Sequence, residues 1–536
     1  MSHSSQGIYV PLPQSISDSD SEKEDRLEGN SHYITNGVNQ SKVSFSQPKN
    51  GHITKDYGED IDKFKTFRHK LSTKRKIALA ISIVFCFLPI ITFLWILPCN
   101  DFNTCSLKIP NWESINENLE FLGSVNLVRG VFQKNLNLAL MYKGSFTDSK
   151  PFKNGILSIM GTTGAVAWDF QQESFPIQMN CSIIDVDNNG YNDCLVVDSR
   201  GLKVVETISG EALWHAHSLE EKSIPEIDMP VKIEDLNKDG VSELLAIYKK
   251  SGFLIISGKT GQALKNIQLP STCSSISLAS CNTYSISYRC IQMPGNLVTY
   301  EVLLEDIKSK YYNSSANLRL NLGKNEGFET FYEVGDRKLT VENVNTCPKC
   351  QSTVTLYSVN QTKLNFWTFD NSIVMQPVPF KFPVVKPNIY SSKGYITGFI
   401  LKMWYWQDKS IKLSPVTRIY KRSVPVHNET YHLNKVSERV LLLLLKENDV
   451  QIENVSLTDV YLICNGPAHS NCQPDYKNQE NSILIADLDF DNSLELISYS
   501  SSYKKIEIDG YETWHLTSKL NVFRLESEFS KLFENK

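Results

Sequence analysis

Residues 179–198 read MNCSIIDVDNNGYNDCLVVD, residues 229–248 MPVKIEDLNKDGVSELLAIY and residues 481–500 NSILIADLDFDNSLELISYS. Each is an apolar run, a polar loop and a second apolar run. The loops align position by position. The first carries Asp185, Asp187, Asn189, Gly190 and Asp193; the second Asp235, Asn237, Asp239, Gly240 and Glu243; the third Asp487, Asp489, Asp491, Asn492 and Glu495. Oxygen side chains at positions one, three and five, a turn-permitting residue at six and a carboxylate at nine suit a hard cation, because Ca²⁺ takes roughly six to eight oxygens at about 2.3–2.6 Å. The backbone carbonyls of Tyr191, Val241 and Ser493, at position seven, complete each candidate ring. An EF-hand is excluded, since that loop closes with a glutamate at position twelve between helices, whereas these close at nine between short β-branched and apolar runs. The flanks predict a β-hairpin. Asp and Asn favour turns without any metal, but three copies in one context point to a repeated device. Asn492, standing where the other loops have glycine, still tolerates the left-handed conformation.

Spacing sets the architecture. Asp185 and Asp235 are 50 residues apart and Asp235 and Asp487 are 252 apart, a whole number of repeats within the range of propeller blades. Stripped versions of the pattern stand at YEVGDRKLTVENV around Asp336 and LNKVSERVLLLLL around Glu438. The run Val440 to Leu445 is too short to cross a bilayer and reads as a buried strand. A second element recurs as GTTGAVAW ending at Trp168, TISGEALW ending at Trp214 and SGKTGQAL ending at Leu264, each a glycine turn feeding a strand with a large apolar plug. Centres near 185, 235, 285, 335, 385, 435 and 487 predict an all-β propeller of seven blades over 116–530, with Gly123 to Tyr142 and the C-terminal strands left for closure or an eighth.

At 536 residues the chain exceeds one ordinary domain, and 41% hydrophobic with 21% charged residues is a globular composition. A net charge of −4 provides no basic field, which excludes nucleic acid as a partner. Residues 77–97, IALAISIVFCFLPIITFLWIL, hold no charge. That is the roughly 20 residues needed to span hydrocarbon as a helix, and the polar residues ahead of it predict a retained signal anchor rather than a cleaved peptide. Lys63, Lys65, Arg68, Lys70, Lys74, Arg75 and Lys76 precede it, whereas no basic residue follows until Lys108. The asymmetry predicts a type II single-pass protein with a cytoplasmic N-terminus. The expected layout is a disordered acidic and Ser-rich tail (1–60), a basic juxtamembrane segment (61–76), the span (77–97), a stalk (98–115) and the propeller, at the cell surface or on a secretory membrane. Ser17, Ser19 and Ser21, each with an acidic residue three positions on, are candidate phosphorylation sites. Tyr9-Val10-Pro11-Leu12 has the form of a sorting tetrapeptide.

Beyond the span, N-x-S/T acceptors stand at Asn180, Asn313, Asn360, Asn428 and Asn454, while Asn39 falls on the cytoplasmic side and is expected bare. The cysteines there cluster, which predicts short-range disulfides such as Cys181 with Cys194 and Cys464 with Cys472, and a structural bridge for Cys347-Pro-Lys-Cys350. Their odd number leaves one over.

The three D-x-[DN]-x-[DN]-[GN]-x-x-[DE] loops resemble the FG-GAP repeats of integrin alpha propellers, and the glycine–tryptophan turns are similar to quinoprotein-type blades. Combined with the acidic tail and single anchor, the chain resembles the single-pass FG-GAP-repeat family called family with sequence similarity 234. That resemblance implies an extracellular or lumenal propeller with structural Ca²⁺ at the loop positions named above, and no defined activity. The Phe-Gly and Gly-Ala-Pro words of the integrin repeat are missing. The function expected is a non-enzymatic interaction module for a protein partner, in a receptor, adhesion or trafficking role and without an organic cofactor. The alternative is a propeller enzyme, a quinoprotein-like dehydrogenase or a hydrolase, against which no G-x-S-x-G elbow, HExxH pair or Walker loop appears.

Overall fold

The computed structural model describes residues 73–96 and, from 110 to 525, all but 131–134, 146–152, 270–271, 294, 324–329, 359, 361, 384–394, 413–430, 446–449, 466–470 and 509–510. The chain divides into two units, Met1–Leu97 and Pro98–Lys536. In the first, α1 (Thr73–Ile96) is a 24-residue helix on which the described apolar side chains, Ile77, Ile81, Val84, Phe85, Phe87 and Leu88 among them, are exposed. Among the described residues no helix is long and apolar enough to cross a membrane. The span expected at 77–97 is therefore not supported by them: described side chains of α1 stop at Leu88, short of the roughly 20 apolar residues a bilayer requires.

Among the described residues the second unit is all-β apart from one short α-helix and a 3-10 turn at Tyr476–Gln479. β1 (Trp112–Glu117) is followed by seven antiparallel sheets, and it falls partly in the stretch expected as stalk. Blade one holds β2 (Leu119–Arg129), β3 (Leu136–Gly144), β4 (Asn154–Met160) and β5 (Val166–Gln172); blade two β6 (Pro176–Ile184), β7 (Asp193–Asp198), β8 (Gly201–Val205) and β9 (Ala212–His215). Blade three holds β10 (Val231–Lys232), β11 (Leu244–Tyr248), β12 (Gly252–Ile256) and β13 (Ala263–Gln268). Blade four has β14 (Cys273–Cys281), β15 (Ser285–Gln292), β16 (Asn296–Leu303) and, after helix α2 (Leu304–Tyr312), β17 (Asn321–Leu322). Blade five has β18 (Tyr332–Val334), β19 (Arg337–Val344), β20 (Gln351–Ser358) and β21 (Lys363–Asp370). Blade six has β22 (Ser372–Val374), β23 (Val378–Pro383), β24 (Tyr395–Lys412), β25 (Tyr431–Leu445), β26 (Val450–Asn465) and β27 (Cys472–Gln473). Blade seven is β28 (Ile483–Ala486), β29 (Glu495–Ile508) and β30 (Tyr511–Arg524), with β1 as its outer strand. Pairing β1 with β30 from Trp112↔Val522 to Glu117↔Thr517 joins the two ends of the unit within one sheet.

The blade count of seven matches the expectation, but by a different partition. Blade six occupies 372–473 and takes in the expected centres at both 385 and 435, and the segment around Gly123 to Tyr142 belongs to blade one rather than to closure. The 50-residue step fails there because β24, β25 and β26 run to 18, 15 and 16 residues. Glu438, the centre of a stripped copy of the loop pattern, lies inside β25 opposite Trp404, and Val440 to Leu445 form its end. Middle strands are largely apolar because neighbouring blades cover both faces: β7, β8 and β12 are buried at every residue. Those side chains fill clusters that join blades one and two, two and three, and three and four.

The glycine–tryptophan turns lock blade to blade. Trp112 Nε1 donates to Gly161 O at 2.8 Å, Trp168 Nε1 to Thr207 O at 2.9 Å and Trp214 Nε1 to Gly258 O at 2.9 Å. Each indole lies over the glycine of the next turn, so that a Cβ at Gly164, Gly210 or Gly261 would come within 2.6 Å or less of a ring carbon. Those glycines also have φ near +75°, where a side chain is strained.

Candidate metal loops

The three loops occupy one position in their blades, between the first and second strands: β6 and β7, β10 and β11, β28 and β29. In each, positions four and six are left-handed, with φ of 57° at Asn188, 64° at Lys238 and 57° at Phe490, then 88° at Gly190, 90° at Gly240 and 66° at Asn492. That geometry turns backbone N–H groups inward onto the side-chain oxygens. Position one accepts from the N–H of position six at 2.8 Å (Gly190 to Asp185), 3.0 Å (Gly240 to Asp235) and 2.9 Å (Asn492 to Asp487). Position five accepts from position seven: Tyr191 to Asn189, Val241 to Asp239 and Ser493 to Asp491. Position nine accepts from position two: Val186 to Asp193, Leu236 to Glu243 and Leu488 to Glu495. The residues singled out in the sequence thus share one bonding scheme in all three copies.

Asp193, Glu243 and Glu495 have no solvent exposure, and the second oxygen of each, Asp193 Oδ1, Glu243 Oε1 and Glu495 Oε1, accepts no hydrogen bond. Burial pushes Asp193 up to about 7, with Asp187, Asp185 and Glu206 adding repulsion; burial likewise raises Glu243 and brings Glu495 to about 7. A buried carboxylate oxygen with no donor, facing further carboxylates, fits a hard cation. One oxygen from each of Asp185, Asp187 and Asp193 lies within 4.8 Å of the others, and the same holds for Asp487, Asp489 and Asp491. The second loop forms no such group, having Asn237 where the others have Asp at position three. Its Asp239 is braced instead by Ser257 Oγ at 3.4 Å and, through its carbonyl, by Lys259 Nζ at 3.0 Å.

Two features left no local pattern in the sequence. Arg129, in β2, places its guanidinium 5.5 Å from the Tyr191 ring and 5.7 Å from the Phe490 ring, tying the first loop to the third across blade one. Arg524, in β30, hydrogen-bonds Asp491 and has Nη1 at 3.9 Å from Glu495 Oε1, so the third loop already contains a cation.

Between blades six and seven lies a cleft of about 870 Å³ walled by Val440, Leu442, Tyr461, Trp514 and Phe523. Lys402 at its floor is fully buried, and burial lowers its pKa against the pull of Glu438. Its ammonium donates to Glu438 at 3.0 Å, Ser482 Oγ at 3.0 Å and Tyr499 O at 2.7 Å. All three protons are used, which makes Lys402 a pin between the blades rather than a base.

Disulfides join Cys181 to Cys194, Cys273 to Cys290, Cys347 to Cys350 and Cys464 to Cys472. Cys273–Cys290 was not singled out in advance; it bridges first and second strands of its blade, as Cys181–Cys194 does. Cys281 is the free cysteine among the described residues. Asn313, Asn360 and Asn454 are exposed and Asn180 is half-buried; Asn428, Ser17, Ser19 and Ser21 lie outside the described residues.

These features define a disulfide-bonded β-propeller protein with three Asp/Asn-rich hairpin loops. Residues 153–355 match the family model described as the FAM234A/B beta-propeller. A search of curated proteins gives no match. Among solved structures, BBS1N in complex with ARL6DN is similar at 10% identity, covering 77% of this chain and 96% of that one, with a TM-score of 0.32. The computationally designed Ika8 protein is similar at 13% identity, 67% and 98% coverage and a TM-score of 0.26. BamB from Moraxella catarrhalis is similar at 8% identity, 76% and 96% coverage and a TM-score of 0.22. At those scores the likenesses carry no functional argument.

Proposed function

We propose that the chain is a type II single-pass membrane glycoprotein whose propeller, stabilised by calcium in FG-GAP-type loops, acts outside the cytosol as a non-enzymatic module for binding a protein partner. The observation that carries this reading is the buried position-nine carboxylate of loops one and two, whose second oxygen has no donor. Asp185, Asp187, Asn189, Asp193 and the Tyr191 carbonyl would hold one ion, and Asp235, Asn237, Asp239, Glu243 and the Val241 carbonyl another; bound there, calcium offsets the mutual repulsion of the loop acids. The other oxygens of these acids are committed to their own backbone, which supports a structural role. The interaction reading is supported by apolar side chains left uncovered on the outer strand of blade five, Leu364 at 42% and Phe366 at 60% exposure. The anchor rests on the uncharged run 77–97 and the basic residues ahead of it.

Thermal unfolding of the full-length protein in detergent, with calcium and with chelator, tests the metal. Saturating calcium at about 100 times its Kd adds about 2.7 kcal/mol per ion, so a clear rise in Tm is expected, and an unchanged Tm sinks the calcium reading. Glycosidase digestion of the protein made in cells tests the topology: a mobility shift lost in an Asn180→Gln, Asn313→Gln, Asn360→Gln, Asn428→Gln, Asn454→Gln variant supports it, and no shift in the wild type overturns it.

A further inference from the structure

The residue facing position nine from the neighbouring strand differs in all three loops. In blade seven the register pairs Glu495 directly with Arg524. In blade two Cys194 pairs with Val205, so the next step sets Asp193 opposite Glu206; in blade three Leu244 pairs with Ile256, so Glu243 stands opposite Ser257. One structural position therefore holds an acid in the first loop, a neutral hydroxyl in the second and a guanidinium in the third. The third loop is also the one with four carboxylates, Asp487, Asp489, Asp491 and Glu495.

We infer that Arg524 is the resident cation of the third loop, its guanidinium taking the place of a divalent ion, so that this loop closes without metal while the other two require it. Asp491 spends Oδ1 on the Ser493 N–H, and its remaining oxygen, the one free to ligate an ion, bonds Arg524 Nη2. The other guanidinium nitrogen faces Glu495 Oε1, the oxygen that in loops one and two has no cationic neighbour. The side chains of Arg524, Asp491 and Glu495 are 9%, 5% and 0% exposed, so the charges meet away from water, where a planar guanidinium is the least heavily hydrated cation a side chain offers. Arg524 is further fixed through its N–H on Asn111 Oδ1 at 2.8 Å, next to the strand that completes the closing blade. Closure of the propeller at β1 and β30 is thereby set by the chain itself.

The inference rests on reading the loops as cation sites, and bound calcium per full-length chain, counted after gel filtration in calcium buffer, separates the two. Asp487→Asn should leave the count unchanged, whereas Asp185→Asn lowers it by one. Arg524→Gln should add one ion, lost again in Arg524→Gln, Asp487→Asn. Loss of one ion from Asp487→Asn alone, or no gain in Arg524→Gln, overturns the inference. A wild type without calcium beside an Arg524→Gln protein holding one ion sinks the reading of loops one and two and sustains the role of Arg524. Should Arg524→Gln fail to fold, Asp487→Asn decides the matter by itself.

Discussion

In blades two and three no strand exceeds nine residues, and each receives from the blade before it an indole laid on its glycine turn. Blade six has three strands of 15 to 18 residues and, among its described residues, no such turn; its ties to blade seven include the buried Lys402 with its three acceptors. The contrast teaches where propeller cohesion comes from. Between the short blades an indole plug reinforces an apolar seam built from both sheets, whereas between blades six and seven a buried polar pin stands beside smaller apolar clusters.

The largest effect expected follows from that pin. Lys402→Met leaves Glu438 buried with only Trp404 Nε1 at 2.9 Å as donor, and breaking such a pair by one partner costs about 3–5 kcal/mol. Lys402→Met, Glu438→Leu should recover most of the loss, since replacing both charges by apolar groups is often neutral. Denaturation midpoints of the two variants decide it: a single variant as stable as wild type would mean that the long strands alone hold blade six.

Next come the disulfides, of which each region has one. Cys181–Cys194 spans 13 residues around loop one, and opening a loop of that size costs about 3 kcal/mol. Cys464–Cys472 spans 8 residues within blade six, so its removal costs somewhat less on the same relation. Cys181→Ser, Cys194→Ser should moreover weaken calcium binding, because it frees the strands that flank the loop; Cys464→Ser, Cys472→Ser should not. Equal loss of calcium in both would show that the bridge does not set the loop.

Much of the regular region was legible in the sequence because its signals are local. Asp185 to Asp193 lie within nine residues, and Gly164 and Trp168 within five. Repetition at nearly constant spacing then pointed to a propeller, although its count of seven agrees only because the merging of the centres at 385 and 435 is offset by the blade that holds Gly123 to Tyr142. Blade six was misread because the 50-residue step was carried through segments whose long strands have no turn word to interrupt them. Arg129, Arg524 and Lys402 were missed for a related reason. Each acts on residues brought to it by strand register or by the next blade: Arg524 faces a loop ending 29 positions earlier at Glu495, and Lys402 meets Tyr499 across 97. The membrane span was read from composition alone, and the described residues do not extend far enough along α1 to support it.

A smaller effect, about 1–3 kcal/mol, is expected from Gly210→Ala. The substitution meets the Trp168 ring at 2.6 Å and puts a side chain at φ +76°, a strain of that order. Gly190→Ala carries the same kind of backbone strain at φ +88° but has no atom within 4 Å of the new Cβ. The difference between the two variants therefore measures the indole plug itself. If they are equally destabilised, the plug adds nothing to cohesion and the recurring tryptophans need another explanation.

The smallest effect sharpens the comparison of buried ion pairs. Blade two has its own, Asp198 with Lys203 at 2.6 Å, but the partners flank one tight turn and Asp198 also accepts from Ser174 Oγ and the Arg200 N–H. Burial alone would raise its carboxyl; the Lys203, Ser174 and Arg200 bonds together hold it below the usual value. A carboxyl whose folded pKa lies under its unfolded value of about 3.9 adds stability at all higher pH and loses it as pH falls through the folded pKa. Wild type should therefore lose a component of stability below about pH 4 that Asp198→Asn lacks, while Lys402→Met keeps it. Parallel acid profiles for wild type and Asp198→Asn would show that the turn pair has the same strength in the unfolded chain, as its five-residue separation allows.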